Sequence, residues 1–369
     1  MAKSETSSSG QCPTSSGVAW KVIVAIVLLR LCIGWHFLSE GAKKLSYDRG
    51  SDSWSINVPT AAMLGQAKGP LAGFIQHQLP GGHGWQSLLA VPQEMTPEAG
   101  QQLNDWVAEY VKRRQAELSK GEHKPVEIPD FAPYANWYEQ IIADWKAIHT
   151  SFTKVSGLKK EQLAEAATLF EVREQFLADY LAEESLDIQA YQHELWRLAQ
   201  AASQGENRAP FEQERIADKT AEVGRTPLKW VAGVRQLQAG YLDELRGVLT
   251  DKQRDSAMST RVESALVTPK ERNLAWVNLA VTCLTVGVGI CLLAGFCTRL
   301  AAIAGALFLL TIMATQPPWV LGAKTDFFYY QLVEVAAFLF LAAVGAGRWA
   351  GLDSIVHCLW SKCCGTKAS

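Results

Sequence analysis

One apolar stretch near the start of the chain constrains the fold more than any other feature. Residues 18–38 are long and apolar enough to cross a bilayer as a helix, since about 20 residues at about 1.5 Å each span the hydrocarbon. Arg30 lies near the middle of this stretch. An arginine at that depth costs a few kcal/mol unless it faces protein, so it predicts a helix face turned toward a bundle. Spacings of three and four residues place on that face Arg30, Gly34, Phe37, Gly41 and Lys44.

The chain divides into two kinds of sequence. Long apolar runs lie in residues 18–38 and 274–345, whereas most charged residues lie between 43 and 272. The net charge of −2 gives no electrostatic reason to propose nucleic acid as a partner. None of the eight cysteines lies between residues 33 and 282, so the polar part has neither a disulfide framework nor a thiolate metal site.

These patterns predict an all-α protein, with a four-helix transmembrane bundle and a helical, partly coiled-coil-like soluble insert between spans 1 and 2. Four crossings place both chain ends on the same side of the membrane. The basic residues are nearly balanced between the two sides, so they do not decide the orientation. The predicted division is a disordered tail (1–17), span 1 (18–45), an irregular connector (46–95), the helical insert (96–268), span 2 (274–296), span 3 (300–316), span 4 (327–346) and a C-terminal tail (347–369).

The insert shows helical periodicity in most of its length. Apolar residues recur every three or four positions and predict helices over residues 97–120, 134–155 and 227–249, with a short helix after Thr250. Between residues 159 and 203 the seam fits either one coiled coil or two helices that break near Ser185. Residues 50–100 hold five prolines and a Gly-rich turn, which predict no long regular element there. The Trp and Tyr side chains of the insert are interpreted as core residues.

Two charges within the apolar runs carry the functional prediction. Arg30 is eight residues from Leu38, about 12 Å, and Glu334 is seven residues from Phe327, about 10 Å. Because those two ends face the same side of the membrane, the sequence predicts that Arg30 and Glu334 lie at one depth and form an ion pair. This pair either holds the first and fourth spans in register or takes part in catalysis.

In the catalytic interpretation, Arg30 and Glu334 are the catalytic residues of a site that binds a quinone headgroup or relays protons. The candidate quinone-binding residues are His36, Gln331 and Tyr330. His36 also fits an ordinary helix-interface residue. The sequence contains no nucleophile with its base, no phosphate-binding loop, and no haem or iron–sulfur motif. His77 and His83 flank a Pro-Gly-Gly turn without a third ligand, so no metal site is predicted.

Three stretches of the apolar parts resemble the DoxX-like family of four-helix membrane proteins. Residues 30–45 resemble the first span of that family, with an Arg, then a Gly, an apolar pair, and a final Gly and Lys-Leu. Residues 289–302 resemble its second span and the following turn, and residues 345–353 resemble the Gly-rich end of its last span. The matches cover only the membrane part. The chain departs from the family pattern in its long insert and in Thr285, which stands where many relatives carry a carboxylate.

The resemblance implies a multi-pass protein of the cytoplasmic membrane with both ends in the cytoplasm and the insert outside. Relatives include quinone-linked thiosulfate dehydrogenase subunits, so it implies a quinone-linked oxidoreductase subunit. The alternative is a non-catalytic membrane anchor whose helical insert binds a partner protein. The lipid bilayer is a partner in both interpretations.

Overall fold

The computed structural model describes residues 20–49, 52–58, 60–120, 124–203, 210–320 and 325–355. This part of the chain is predominantly α-helical, as the sequence predicts. It forms two compact units. Unit 1 comprises Met1–Val58, Val277–Pro318 and Lys324–Ser369, and unit 2 comprises Pro59–Trp276 and Trp319–Ala323. The predicted N-terminal tail and the last residues of the C-terminal tail lie outside the described residues.

Unit 1 contains the apolar helices. Its elements are α1 (Trp20–Ala42), β1 (Leu45–Asp48), β2 (Ser53–Ile56), α13 (Pro269–Ala294, assigned to unit 1 from residue 277), α14 (Thr298–Met313), α15 (Thr325–Val344) and a 3₁₀ helix (Ala346–Arg348). The strands pair antiparallel as a two-stranded sheet, with Leu45 opposite Ile56 and Tyr47 opposite Trp54.

Three helices of the described chain are long and apolar enough to cross a membrane: Trp20–Ala42, Pro269–Ala294 and Phe327–Val344. Large apolar side chains on their outer surfaces are exposed, among them Leu28, Trp35 and Val333. Such surfaces are typical of contact with lipid. The fourth predicted span is represented by α14, an apolar helix of 16 residues. Its rise of about 24 Å is shorter than the hydrocarbon thickness of about 30 Å.

Small residues allow the apolar helices to pack closely. A Cβ at Gly289 of α13 would lie 2.5 Å from the backbone nitrogen of Leu38 in α1, and one at Gly34 would lie 3.0 Å from the Cβ of Leu292. This contact of backbone against backbone is typical of membrane helix interfaces. The ring of Phe338 in α15 packs edge-on against Phe37, with centroids 4.8 Å apart.

Unit 2 has a separate hydrophobic core, in which the side chains of Trp137, Trp145, Trp230, Phe152 and Tyr241 are completely buried. The buried Trp and Tyr side chains of the insert are therefore core residues, as predicted, whereas Phe131, Phe176 and Phe211 are exposed. Its elements are α2 (Thr60–Gly65), α3 (Ala72–His77), α4 (Trp85–Leu88), α5 (Pro97–Lys120), α6 (Ala135–Thr153), α7 (Lys160–Glu183), α8 (Ser185–Ser203), α9 (Pro210–Val223), α10 (Leu228–Gly247), α11 (Asp251–Arg254) and α12 (Ala257–Ala265).

The predicted helices of the insert are confirmed with small changes at their ends. The seam between residues 159 and 203 is two helices, because the chain breaks at Glu184 between α7 and α8. Thr250 precedes α11, and its backbone N–H donates to Gln253 Oε1 at 2.9 Å, as in a capping box. Helix α9 was not predicted from the sequence, and residues predicted as an irregular connector form most of β1, all of β2 and three short helices.

Candidate functional site

Arg30 is buried near the middle of α1, with 1% of its surface exposed. Its guanidinium donates hydrogen bonds to three main-chain carbonyls that follow α15. Nη1 donates to Ala346 O and Trp349 O, both at 3.2 Å, and Nη2 donates to Ala350 O at 2.9 Å. Because carbonyls near the end of a helix carry partial negative charge, they can stabilise a buried cation without a carboxylate.

The predicted ion pair between Arg30 and Glu334 is wrong. Arg30 lies beside residues that follow α15, whereas His36, later in α1, lies beside Glu334 in the middle of α15. These contacts show that α1 and α15 run antiparallel. Helical side chains lean toward the N-terminus of their own helix, so those of Arg30 and Glu334 point in opposite directions along the bundle. Equal backbone depths therefore do not bring these two side chains together.

Two glycines make room for the Arg30 side chain. A Cβ at Gly295 would lie 2.6 Å from Arg30 Nη1, and one at Gly351 would lie 2.8 Å from the same atom. Gly295 also has a φ of 64°, which disfavours other residues. We call Arg30, these two glycines and the three carbonyls of residues 346, 349 and 350 the arginine cradle.

Asp353 lies beside the arginine cradle and holds the start of α14. Its Oδ1 accepts the N–H of Cys297 at 2.7 Å and its Oδ2 accepts the N–H of Thr298 at 3.0 Å. The N–H of Asp353 donates to Gly295 O at 2.8 Å. A carboxylate at this position satisfies free N–H groups and interacts favourably with the helix dipole. Asp353 was not predicted as a site residue from the sequence, although it closes the third stretch of the family resemblance.

His36 and Glu334 form a pair between α1 and α15. His36 Nε2 lies 3.1 Å from Glu334 Oε1, and the two side chains are 50% and 31% exposed. Both residues belong to helices long and apolar enough to cross a membrane. A titratable pair in such a setting is expensive and is therefore a functional-site hypothesis by default.

The remaining predicted site residues lie one turn from Glu334. Tyr330 is four positions earlier in α15 and its side chain is 75% exposed, whereas Gln331 is buried. Glu40 of α1, which was not predicted as a site residue, is one turn beyond His36 and accepts a hydrogen bond from Lys43. The spacing of four residues between His36 and Glu40 was the available signal. These groups extend the polar surface from Glu334 to the end of α1.

Thr285 lies in the packed interior of unit 1, with 3% of its surface exposed. Its hydroxyl donates to Val281 O at 2.9 Å, one turn earlier in α13. Lys44 Nζ lies 3.5 Å from the same hydroxyl oxygen and 6.0 Å from the centroid of the Phe308 ring. Thr285 also meets the end of α1, because a Cβ at Gly41 would lie 3.1 Å from its hydroxyl oxygen.

The second titratable cluster belongs to unit 2, where the Gly-rich turn after α3 packs on α6 and α10. Asp144 accepts the N–H of Gly81, and His83 Nδ1 lies 2.9 Å from Arg235 Nη2. Burial and the neighbouring Arg235 lower the pKa of His83, while Glu271 opposes the shift. Burial raises the pKa of Asp144 against the hydrogen bond from Gly81. These contacts fix the turn to the helices.

Within the described residues, no group of three or more His, Cys, Asp or Glu side chains could hold a metal ion. Comparison of the chain with protein-family models, with curated protein sequences and with solved structures found no match. The function must therefore be inferred from the residues of this chain, and the DoxX-like resemblance stays a prediction.

Proposed function

We propose that the chain is a DoxX-like integral membrane protein in which α1, α13, α14 and α15 form a four-helix bundle. The arginine cradle supports this proposal. Arg30 comes from the first stretch of the resemblance, Gly295 and Thr298 from the second, and Gly351 and Asp353 from the third, and these residues contact one another. Three stretches that are far apart in sequence thus meet in one cluster of specific contacts.

In this arrangement α14 is the fourth crossing, with its short length compensated by a thinner local bilayer or by flanking residues. The proposed location is the cytoplasmic membrane, with both ends of the chain in the cytoplasm and unit 2 on the outer side. The buried face of α14 presents Ala302, Gly305 and Leu309 to the core of unit 1, while Leu300 and Leu307 are exposed. An exposed apolar side of this kind is consistent with lipid contact.

The function that the geometry supports best is that of a quinone-linked oxidoreductase subunit, with the headgroup at the His36–Glu334 pair. The observation that supports this function is the distance of 3.1 Å between His36 Nε2 and Glu334 Oε1, together with the partial exposure of both side chains on apolar helices. A quinone headgroup has carbonyl oxygens that accept hydrogen bonds, and its tail requires an apolar surface. Trp35 and Val333, the sequence neighbours of His36 and Glu334, are exposed apolar side chains that can supply such a surface, so the residues fit the group.

A bound quinone would supply a couple of two electrons and two protons. His36 Nε2 pairs with Glu334, which fixes the orientation of the ring, so the N–H at Nδ1 is the one that can donate a hydrogen bond to a carbonyl oxygen. Glu40 lies between this pair and the end of α1, and Lys43 follows that end, so protons can be replaced from that side of the membrane. Arg30 is occupied by three carbonyls. We therefore assign it a positioning role in the bundle and no contact with quinone.

The test is quinone retention by the purified full-length protein. The chain is expressed in quinone-containing membranes, purified in mild detergent, and extracted for quantification of bound quinone. We expect the unmodified protein to retain quinone and Glu334→Gln to lose most of it. Leu339→Ala, which changes an exposed apolar side chain of the same helix to which the site assigns no role, is the control and should retain quinone. Retention that is absent from the unmodified protein, or equal in both variants, would contradict the proposal.

A second candidate function is a membrane anchor whose insert binds a partner protein. It is favoured by an open groove of about 420 Å³ in unit 2, lined by Leu198, Glu212, Arg215, Ile216 and Lys219. Apolar side chains with a charged rim are typical of protein-binding surfaces. The full-length protein would then copurify with a stoichiometric partner, and Ile216→Lys would release it without lowering thermal stability. A partner that remains bound to Ile216→Lys would exclude this groove.

A further inference from the structure

The hairpin of β1 and β2 has one apolar and one polar face. Residues directly opposite each other in an antiparallel pair share a face, and successive residues alternate. Leu45 and Tyr47 therefore share a face with Ile56 and Trp54. The opposite face carries Ser46, Asp48, Ser53 and Ser55, and the hydroxyl oxygens of Ser46 and Ser55 lie 2.7 Å apart. We call the first of these surfaces the apolar hairpin face.

The apolar hairpin face is exposed in the structure. Trp54 is 70% exposed and Tyr47 is 46% exposed, and their rings pack with centroids 5.1 Å apart. Leu45 and Ile56 are also exposed. A two-stranded hairpin is marginally stable in water unless its apolar face packs on something. This face is therefore expected to have a covering surface.

The position of the hairpin in the chain identifies that surface as lipid. β1 begins three residues after Ala42, the last residue of α1, and the intervening Lys43 and Lys44 are basic. The N–H of Asn57 donates to Lys44 O at 2.8 Å, so the end of β2 is also fastened to the end of α1. The hairpin therefore starts where α1 would leave the hydrocarbon.

Its composition also matches that location. Tyr and Trp are enriched where proteins meet lipid headgroups. We propose that the apolar hairpin face lies in the interfacial layer of the bilayer, with Tyr47 and Trp54 toward the hydrocarbon and the serine face toward water. This inference rests on the membrane insertion of α1 in the proposed function. The hairpin would fix the depth of α1, and with it the depth of His36, six residues before the helix end.

The experiment places a photoreactive p-benzoylphenylalanine at single positions of the full-length protein in vesicles of phosphatidylethanolamine and phosphatidylglycerol. After irradiation, lipid adducts are quantified by mass spectrometry. Leu28, exposed within α1, tests membrane insertion, Trp54 tests the apolar hairpin face, and Ser53 is the control on the polar face. Tyr47 is a second position on the apolar face, in case the change at Trp54 disturbs folding.

We expect lipid adducts at positions 28 and 54, with several-fold fewer at position 53. Adducts at position 28 with none at positions 54 and 47 would overturn the inference and leave membrane insertion intact. Equal labelling at positions 53 and 54 would also overturn it, because the hairpin would then have no preferred face. Crosslinks from position 54 to protein in place of lipid would show that a protein covers the face. Absence of adducts at position 28 would contradict insertion of α1 and the inference together.

Discussion

Replacement of Arg30 by methionine tests the arginine cradle. Methionine keeps an unbranched apolar side chain and removes the donors to Ala346 O, Trp349 O and Ala350 O. At about 1.5 kcal/mol for each hydrogen bond to a charged group, the three bonds stabilise the fold by about 4.5 kcal/mol. Removal of a buried charge offsets part of this, so we expect a net loss of about 2–4 kcal/mol.

The loss should be concentrated in the segment that Arg30 holds. Hydrogen exchange measured by mass spectrometry on the detergent-solubilised protein should therefore accelerate in residues 345–355 and much less in unit 2. Arg348→Met is the matched control, because it removes the same charge from an exposed position of that segment. Exchange in Arg30→Met that equals exchange in Arg348→Met would refute the reasoning, since the carbonyls would then not depend on Arg30.

Other predictions concern helix packing and pH. Gly289→Ala should destabilise by about 1–3 kcal/mol, because its Cβ would lie 2.5 Å from Leu38 N. Gly287→Ala, with nothing within 4 Å of its Cβ, should be neutral or slightly stabilising; equal thermal midpoints in detergent would contradict this contrast. The pKa of His83 is lowered in the folded state, so neutral His83 favours folding. Its contribution to the free energy of unfolding is fully present above the ordinary pKa of 6.5 and is lost as pH falls through the lowered value. The thermal midpoint of His83→Gln should therefore fall less than that of the unmodified protein as pH drops below about 6.5. The same pH dependence in both proteins would exclude His83 as a cause of the acid destabilisation.

Local periodicity predicted much of unit 2. The helix over Pro97–Lys120 has the predicted bounds, because its apolar residues recur at helical spacing until the polar end. The break at Glu184 was one of two open alternatives, since its acidic and polar neighbours fit both a helix interior and a new cap. The hairpin was missed because each strand has only four residues and half of them are serine or aspartate. Such short strands carry little periodic signal.

The candidate site was predicted in part. The sequence identified His36 and Glu334 as unusual groups in apolar helices, and the structure brings them together. It could not identify the partners of Arg30, because these are main-chain carbonyls that any residue can supply. Their positions depend on the turn after α15, which glycines and Asp353 shape through tertiary contacts. The depth of a residue along its helix could be predicted from the sequence. The direction of its side chain toward an antiparallel neighbour could not, because it depends on how the helices pack.

The most direct test of the central claim is a double-mutant cycle on quinone affinity. The dissociation constant of a short-chain quinone is measured for the unmodified protein, His36→Gln, Glu334→Gln and the double variant in detergent. If His36 and Glu334 form one site, each single change should weaken quinone binding about tenfold, or about 1.4 kcal/mol. The double variant should then bind quinone as tightly as the single variant with the lower affinity, because the second change removes nothing further. Unchanged affinity in the single variants, or a double variant in which the two losses add, would contradict a shared site.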